Sequence, residues 1–300
     1  MKFFAMNKKH LVNCDICHHR CKIALGAYGF CGIRQNLDGK LVNQGYGKIT
    51  ALALDPIEKK PLYRFYPGSA ILSVGSLGCN MNCSFCQNHH IARLRLDSAE
   101  PNSVWESYTP KALVELAIET KKQGNRGLAF TYNEPLINYE FIIDCAKKMK
   151  EMDSELKVVL VTNGHLEIAH AKKLLPYVDA ANIDLKAFRK AFYTKMGGDF
   201  SLVKAFIEEA VKNCHVELCY LLIPGLNDGL DEVEEAAEWI ASLDCTGQGP
   251  MENGKDIPLH ISRFFPTYKL VDRAATSVSA VYEAVAVAKK HLNWVYPGNV

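Results

Sequence analysis

The sequence predicts an α/β protein, a partial (β/α)6 barrel of the TIM type with a cysteine-rich N-terminal extension. Three observations carry that prediction. From Ala70 onward, strand-like and helix-like runs alternate six times over roughly 230 residues, the signature of parallel strands joined by crossover helices. The runs VVLV (158–161) and YLLI (220–223) are continuously apolar, as expected for strands covered on both faces. The chain has 300 residues, 48% of them hydrophobic, enough to bury a barrel-sized core beside a small appendage. A complete eight-unit barrel takes about 250 residues, so six units predict an open, incomplete one. A doubly wound open sheet is the alternative topology.

Taken in order, residues 1–68 form the extension and 69–300 the barrel. The extension is irregular: cysteine-rich first, then strand-like pieces in KLVNQGYGKITALAL (40–54), then the charged phrase DPIEKKPLYRFYPGS (55–69). AILSVGS (70–76) is the first barrel strand. Thr109 and Pro110 suit the N-cap and first turn of the helix KALVELAIETKKQG (111–124). GLAFTY, KVVLVTN, VDAANIDL, VELCYLLIP and PLHISRFFP are the next strands. The helices NYEFIIDCAKKMKEM, EIAHAKKLLPY, SLVKAFIEEAVKN, LDEVEEAAEWIASL and SVSAVYEAVAVAKKHL follow them in turn. WVYPGNV (294–300) closes as a last strand. DCTGQGPMENGKDIP (244–258) is polar and rich in Gly and Pro, a loop either on the surface or over the barrel mouth.

A net charge of +2 points to no nucleic-acid or other polyanionic partner. No run approaches the ~18 apolar residues of a membrane span. The start MKFFAMNKKH lacks the apolar core of a secretory signal, so the expectation is a cytoplasmic protein. Eleven cysteines are many for that reducing compartment, where clustered thiols point to metal rather than disulfides. Cys145, Cys214, Cys219 and Cys245 are scattered and read as inert thiols.

Parallel α/β sheets collect chemistry at the carboxyl ends of their strands. Here every strand ends in polar or Gly-rich residues. The first is followed by GCNMNCSFC, in which Cys79, Cys83 and Cys86 stand as C-x3-C-x2-C. The later strands end in Thr131-Tyr132-Asn133-Glu134-Pro135, Thr162-Asn163-Gly164-His165, Asp184-Leu185-Lys186 and Pro224-Gly225-Leu226-Asn227-Asp228, and the sixth carries His260 and Arg263. A cubane [4Fe–4S] cluster normally takes four cysteines. Three thiolates on one loop leave one iron open, the mark of a catalytic site. The alternative is a zinc site completed by a distant cysteine or by His89 or His90.

C-x3-C-x2-C after the first strand, with Phe85 before the last cysteine, resembles the radical S-adenosylmethionine (SAM) superfamily over about 70–297. The resemblance implies a [4Fe–4S] cluster on Cys79, Cys83 and Cys86, SAM chelated at the open iron, and reductive cleavage to a 5′-deoxyadenosyl radical. Asn133-Glu134-Pro135 is similar to the family's Gly-Gly-Glu-Pro stretch, which implies that Glu134 meets the SAM ammonium. Tyr132-Asn133 departs from its two glycines. Thr162 and Asn163 match the polar third-strand end, near the ribose or carboxylate. Asp184 and Lys186 resemble the D-x-K pair of glycyl-radical-enzyme activases, near the SAM carboxylate and ribose. His260 falls at their ribose-contacting histidine, and 223–228 at their adenine-side strand end. Each has a plainer alternative: a helix-start carboxylate for Glu134, a structural ion pair for Asp184 and Lys186, a tight turn at Asn163-Gly164, a core histidine for His260.

Cys14, Cys17, Cys21 and Cys31 can close a second four-thiolate site, holding zinc or another iron–sulfur cluster, or stay as reduced thiols. CDICHHRCKIALGAYGFCGIR and DPIEKKPLYRFYPGS resemble the radical SAM protein of the AmmeMemoRadiSam system, close to pyruvate formate-lyase activating enzymes. That resemblance implies an oxidoreductase abstracting hydrogen from a still unknown substrate, a protein or peptide group among the candidates. It also implies an electron donor such as flavodoxin or ferredoxin, and Memo-type and AMME-type partners. It places a further cysteine pair after the Gly298-Asn299 position, outside these 300 residues. Glu58, Lys59 and Lys60 lie in a segment leading into the barrel and read otherwise as a solvated charge run. A zinc-stabilised scaffold without radical chemistry is the competing function.

Overall fold

The computed structural model describes residues 11–97 and 105–300. MKFFAMNKKH, on which the reading of no leader rested, lies outside the described residues. One sheet of eight strands dominates: β1 (Ala51–Pro56), β2 (Ala70–Gly75), β3 (Asn125–Thr131), β4 (Lys157–Thr162), β5 (Ala180–Asp184), β6 (His215–Leu222), β7 (Leu259–Arg263) and β8 (Val295–Gly298). They lie side by side in chain order. Pairing is parallel from β2 through β8, and β1 runs antiparallel to β2. Among the described residues β1 and β8 are the edges of the sheet, so the barrel is open. The sheet therefore begins at Ala51, ahead of the alternation visible from Ala70.

Six helices follow β2 to β7 in turn: α1 (Pro110–Glu119), α2 (Tyr139–Met152), α3 (Ile168–Leu174), α4 (Phe200–Ala210), α5 (Leu230–Ala241) and α6 (Val278–Ala288). Thr109 caps α1, accepting the Ala112 N–H at 3.2 Å, which satisfies one of the helix's free donors. The parallel strands are almost wholly buried, as their unbroken apolar runs require. Gly127 shows how tightly they approach. At φ +154° a Cβ there would fall 1.9 Å from the Lys157 carbonyl oxygen, so β3 and β4 meet only because the position is glycine.

The extension holds two small hairpins, Val12–Asn13 with Lys22–Ile23 and Arg34–Leu37 with Lys40–Asn43. Arg34 pins it to the barrel. Its buried guanidinium donates to Glu140 Oε1 at 2.7 Å and Oε2 at 2.6 Å, and to the Ile137 carbonyl. Such a fork on a carboxylate fixes direction as well as distance.

Residues 57–65 floor the barrel. Ile57 and Leu62 pack with Ile71, Ala129, Val159 and Ala180 in a cluster of their own, and Asn182 Nδ2 donates to the Pro61 carbonyl at 2.8 Å. Glu217, wholly buried, accepts the Tyr63 and Arg64 N–H groups at 3.0 and 2.8 Å. The phrase 55–69 is thus largely an internal plug. The loop 244–258 is not over the mouth. Gln248 and Gly249 donate to the Lys212 carbonyl, just before β6 begins, so it packs at the barrel's amino-terminal end.

Candidate active site

The loop after β2 carries Cys79, Cys83 and Cys86, and its backbone is held on several sides. Gly78 takes φ +82°, and a Cβ there would stand 2.4 Å from the Cys31 carbonyl oxygen. Asn80, fully buried, donates to the His165 carbonyl at 2.7 Å and accepts from Asn163 Nδ2 at 3.0 Å. Its own carbonyl meets His19 Nε2 at 2.9 Å, a contact from the extension. Arg93 donates to the Cys79 carbonyl at 3.0 Å, and the Lys269 N–H to that of Ser84 at 2.9 Å. The His89 ring stacks on Tyr268 with centroids 4.3 Å apart, which occupies it in packing.

The three thiols line one cavity of about 360 Å³ at the carboxyl ends of the strands, together with Glu134, Thr162, Asn163, Asp184 and Lys186. The structure therefore brings together ten candidates from four strand ends: these eight, Asn133 and the variant position Tyr132. His260 is not among the lining residues. It is buried between the Tyr63 and Tyr296 rings, with Nε2 2.6 Å from Glu217 Oε2. Glu217 on the neighbouring strand β6 holds its ring, and the same carboxylate accepts the Tyr63 N–H of the floor segment. Asn227 is likewise internal, bonding the Lys186 and Leu221 carbonyls and the Ile223 N–H.

Glu134 is buried and takes three donors: Thr162 Oγ1 at 2.6 Å, the Asn163 N–H at 2.8 Å and the Leu136 N–H at 3.0 Å. Burial nevertheless pushes its pKa up to about 7, with the Asp184 charge adding to the rise. It also caps the turn Pro135–Asn138. Asp184 Oδ2 accepts from Lys186 Nζ at 2.7 Å. Burial opposes the Lys186 charge, but Asp184 holds its pKa well above the lysine range.

Tyr132 and Asn133 explain the departure from two glycines. Tyr132 adopts φ +73°, the left-handed conformation glycine supplies freely and tyrosine takes only under constraint. Asn133 ties the turn to the cluster loop through Ser76 and the Gly78 carbonyl. The Tyr132 hydroxyl reaches past β2 to Asp55 Oδ2 on β1 at 2.9 Å. Asp55 also receives Lys60 Nζ at 2.9 Å and Ser73 Oγ at 2.8 Å. Lys60 is buried and faces the cavity with Lys59; for Lys60 the reading as a solvated charge is wrong. The available signal was that the charged run stands between the apolar residues Ile57 and Leu62.

The donor set fits a [4Fe–4S] cluster with one open iron. Cys79 Sγ accepts the Met81 N–H at 3.3 Å and Asn163 Nδ2 at 3.7 Å, contacts that favour a thiolate. Burial pushes the Cys79 thiol far up and Cys83 up to about 11, the latter eased by Lys186. Such thiols ionise when a metal supplies the compensating charge. In the extension, the Phe30 N–H donates to Cys21 Sγ at 3.5 Å, and burial raises the Cys14, Cys17 and Cys31 thiols against the opposing pull of backbone N–H groups of Ile16, His19, Ile33 and Arg34. Among the described residues, no three His, Cys, Asp or Glu side chains converge on a single ion position.

Comparisons with known proteins agree with this geometry. The family model described as the radical SAM superfamily matches residues 73–240. An uncharacterized protein of Methanocaldococcus jannaschii is 36% identical over 307 aligned positions, spanning 99% of this chain and 84% of that one. In fold, the chain is similar to QueE from Escherichia coli, with a TM-score of 0.52 at 14% identity over 83% of this chain and 92% of that one. It is also similar to SuiB from Streptococcus suis, with a TM-score of 0.51 at 12% identity over 75% and 47%.

Proposed function

The chain belongs to the radical SAM superfamily, and from that premise we propose that it cleaves SAM reductively and abstracts a hydrogen atom from an organic substrate, in the manner of an activating enzyme. The family implies a [4Fe–4S] cluster and SAM, a pair that supplies a 5′-deoxyadenosyl radical when one electron is delivered. The observation that carries the proposal is the convergence of Cys79, Cys83 and Cys86 with Glu134 and the Asp184–Lys186 pair on one cavity.

Each residue has a task its chemistry suits. The three thiolates bind three irons, and the N–H groups aimed at Cys79 stabilise its charge. Glu134, held by Thr162 and the Asn163 N–H, receives the SAM ammonium. Lys186 offers a cation to the SAM carboxylate, steadied by Asp184, while Asn163 stands between Asn80 and Cys79 as a polar wall. Phe85 and Met81, both buried, keep water from the reacting centre. The electron comes from a separate donor of the flavodoxin or ferredoxin class. Memo-type and AMME-type proteins are the partners the sequence resemblance supplies.

The test is anaerobic. Reconstituted protein is given SAM and dithionite, and 5′-deoxyadenosine is measured. Product that disappears in Cys83→Ala supports the reading. A full complement of iron and sulfide without any product would favour the scaffold function instead. The extension thiols are a second proposed metal site, supported by the C-x2-C-x3-C-x9-C spacing of Cys14, Cys17, Cys21 and Cys31 and by the Phe30 N–H on Cys21 Sγ. Iron and zinc analysis of Cys17→Ser against the parent tests it, and an unchanged metal content in both would remove it.

A further inference from the structure

The charges that line the cavity do not balance at one end. Lys186 is matched by Asp184 at 2.7 Å, and Glu134 is held by the neutral donors Thr162, Asn163 and Leu136. At the other end Lys59 and Lys60 share a single carboxylate, Asp55, at 3.5 and 2.9 Å. Asp55 Oδ2 is saturated by three donors: Lys60 Nζ, Ser73 Oγ and the Tyr132 hydroxyl. Among the described residues, the Lys60 ammonium donates to Asp55 Oδ2 at 2.9 Å. Its side chain is only 4% exposed and its ammonium lies 4.8 Å from the centre of the Tyr132 ring. A buried ammonium is costly unless anionic partners stand close to it. Burial does lower the Lys60 pKa, and Asp55 works against that.

A second observation points to the same place. Tyr132 holds a left-handed backbone conformation that costs of order 1–3 kcal/mol and persists at ligand clamps. Its ring lies against Gly75, where a Cβ would come within 2.8 Å of Tyr132 Cδ2. The strained residue thus stands with its hydroxyl on Asp55 and its ring face beside the Lys60 ammonium, and both residues line the cavity.

We propose that Lys60, oriented by Asp55 and Tyr132 and assisted by Lys59, is an oxyanion subsite of this cavity, and that the substrate carries a carboxylate or phosphate bound there. The inference rests on the radical SAM reading of the cavity and adds the chemical class of the substrate. Lys60 is the recognition residue, and Tyr132 and Asp55 are positioning residues.

The experiment uses cluster-reconstituted protein loaded with SAM and without reductant. Malonate and inorganic phosphate are titrated separately by calorimetry. One of them binds saturably at one site, which assigns carboxylate or phosphate. Lys60→Met weakens that binding at least about tenfold, the loss of a charge-assisted hydrogen bond, and Lys60→Arg restores most of it. Asp55→Asn weakens it as well, because Asp55 both orients the Lys60 ammonium and works against burial to keep its charge; this test stands even if Lys60→Met does not fold. The proposal is overturned if neither anion binds the parent protein, if binding survives Lys60→Met, or if the anion displaces SAM. Anion binding is read without turnover, so a parent protein that forms no 5′-deoxyadenosine would remove the radical SAM reading and leave this measurement interpretable.

Discussion

His260 Nε2 and Glu217 Oε2 lie 2.6 Å apart, both side chains buried, near the amino-terminal ends of β7 and β6. Glu217 takes a second histidine, His215 at 3.0 Å, and the Tyr63 and Arg64 N–H groups. One carboxylate therefore locks the internal plug 57–65 to the sheet. Glu217→Ala leaves these donors unpaired and is expected to cost about 3–5 kcal/mol, read by urea unfolding at neutral pH. Burial pushes Glu217 up, but His215, His260 and the Tyr63 N–H bring it down to about 2, below the ordinary 4.5. A depressed carboxylate stabilises the fold fully above the unfolded value and loses that contribution as pH falls through the folded one. The stability gap between parent and variant should thus narrow from pH 4.5 toward pH 2. A gap that stays constant over that window would sink the assignment.

The cluster trio separates from the other cysteines in a direct comparison. Cys83→Ala is expected to lose iron, sulfide and the brown colour of the anaerobic protein. Cys145 is fully buried in α2, away from the cavity. Cys145→Ala is expected to cost about 1 kcal/mol in stability and to keep the full cluster content. Equal iron in both variants would count against the trio as ligands.

How much of this was legible follows from how local each signal is. The six strand–helix units and the Thr109 cap are written in periodicity and cap chemistry, and they stand where the sequence places them. The trio is a motif on one loop and was equally plain. His260 could not be placed from sequence, because what holds it is Glu217, 43 residues away, and strand register decides which side chains meet. Lys60 was read as solvent-facing for the same reason: its partners Asp55 and Tyr132 come from different strands. ALAL (51–54) of β1 reads as a strand-like piece, but its place in the main sheet was not legible, because an antiparallel edge strand ahead of the alternation shares no pattern with the parallel units after it.

Gly78 couples the extension to the cluster loop. A Cβ at φ +82° adds backbone strain of roughly 1–2 kcal/mol to a clash at 2.4 Å with the Cys31 carbonyl. Gly78→Ala should shift either Cys79 or the 31–33 segment. The expected result is a loss of at least about 2 kcal/mol together with reduced iron retention after reconstitution. Normal stability and a full cluster would show that the contact constrains nothing.

The pH profile of SAM binding follows from Glu134. Burial, with help from Asp184, raises it to about 7 against the opposing donors Thr162, Asn163 and Leu136. A carboxyl whose folded pKa is raised keeps its proton longer folded than unfolded. Between about pH 4.5 and 7 its contribution to the stability of the SAM-free protein therefore declines as pH rises. An ammonium placed against it reverses the balance, since the ionised form then gains a partner. The stabilisation that SAM confers on the cluster-loaded protein should thus grow as pH rises through about 7, measured as a thermal shift at saturating SAM from pH 6 to 8.5. Glu134→Gln keeps the size of the group and removes the charge, so its shift should be smaller and flat with pH. If the parent profile is also flat, Glu134 does not meet the ammonium, and another residue of the cavity must.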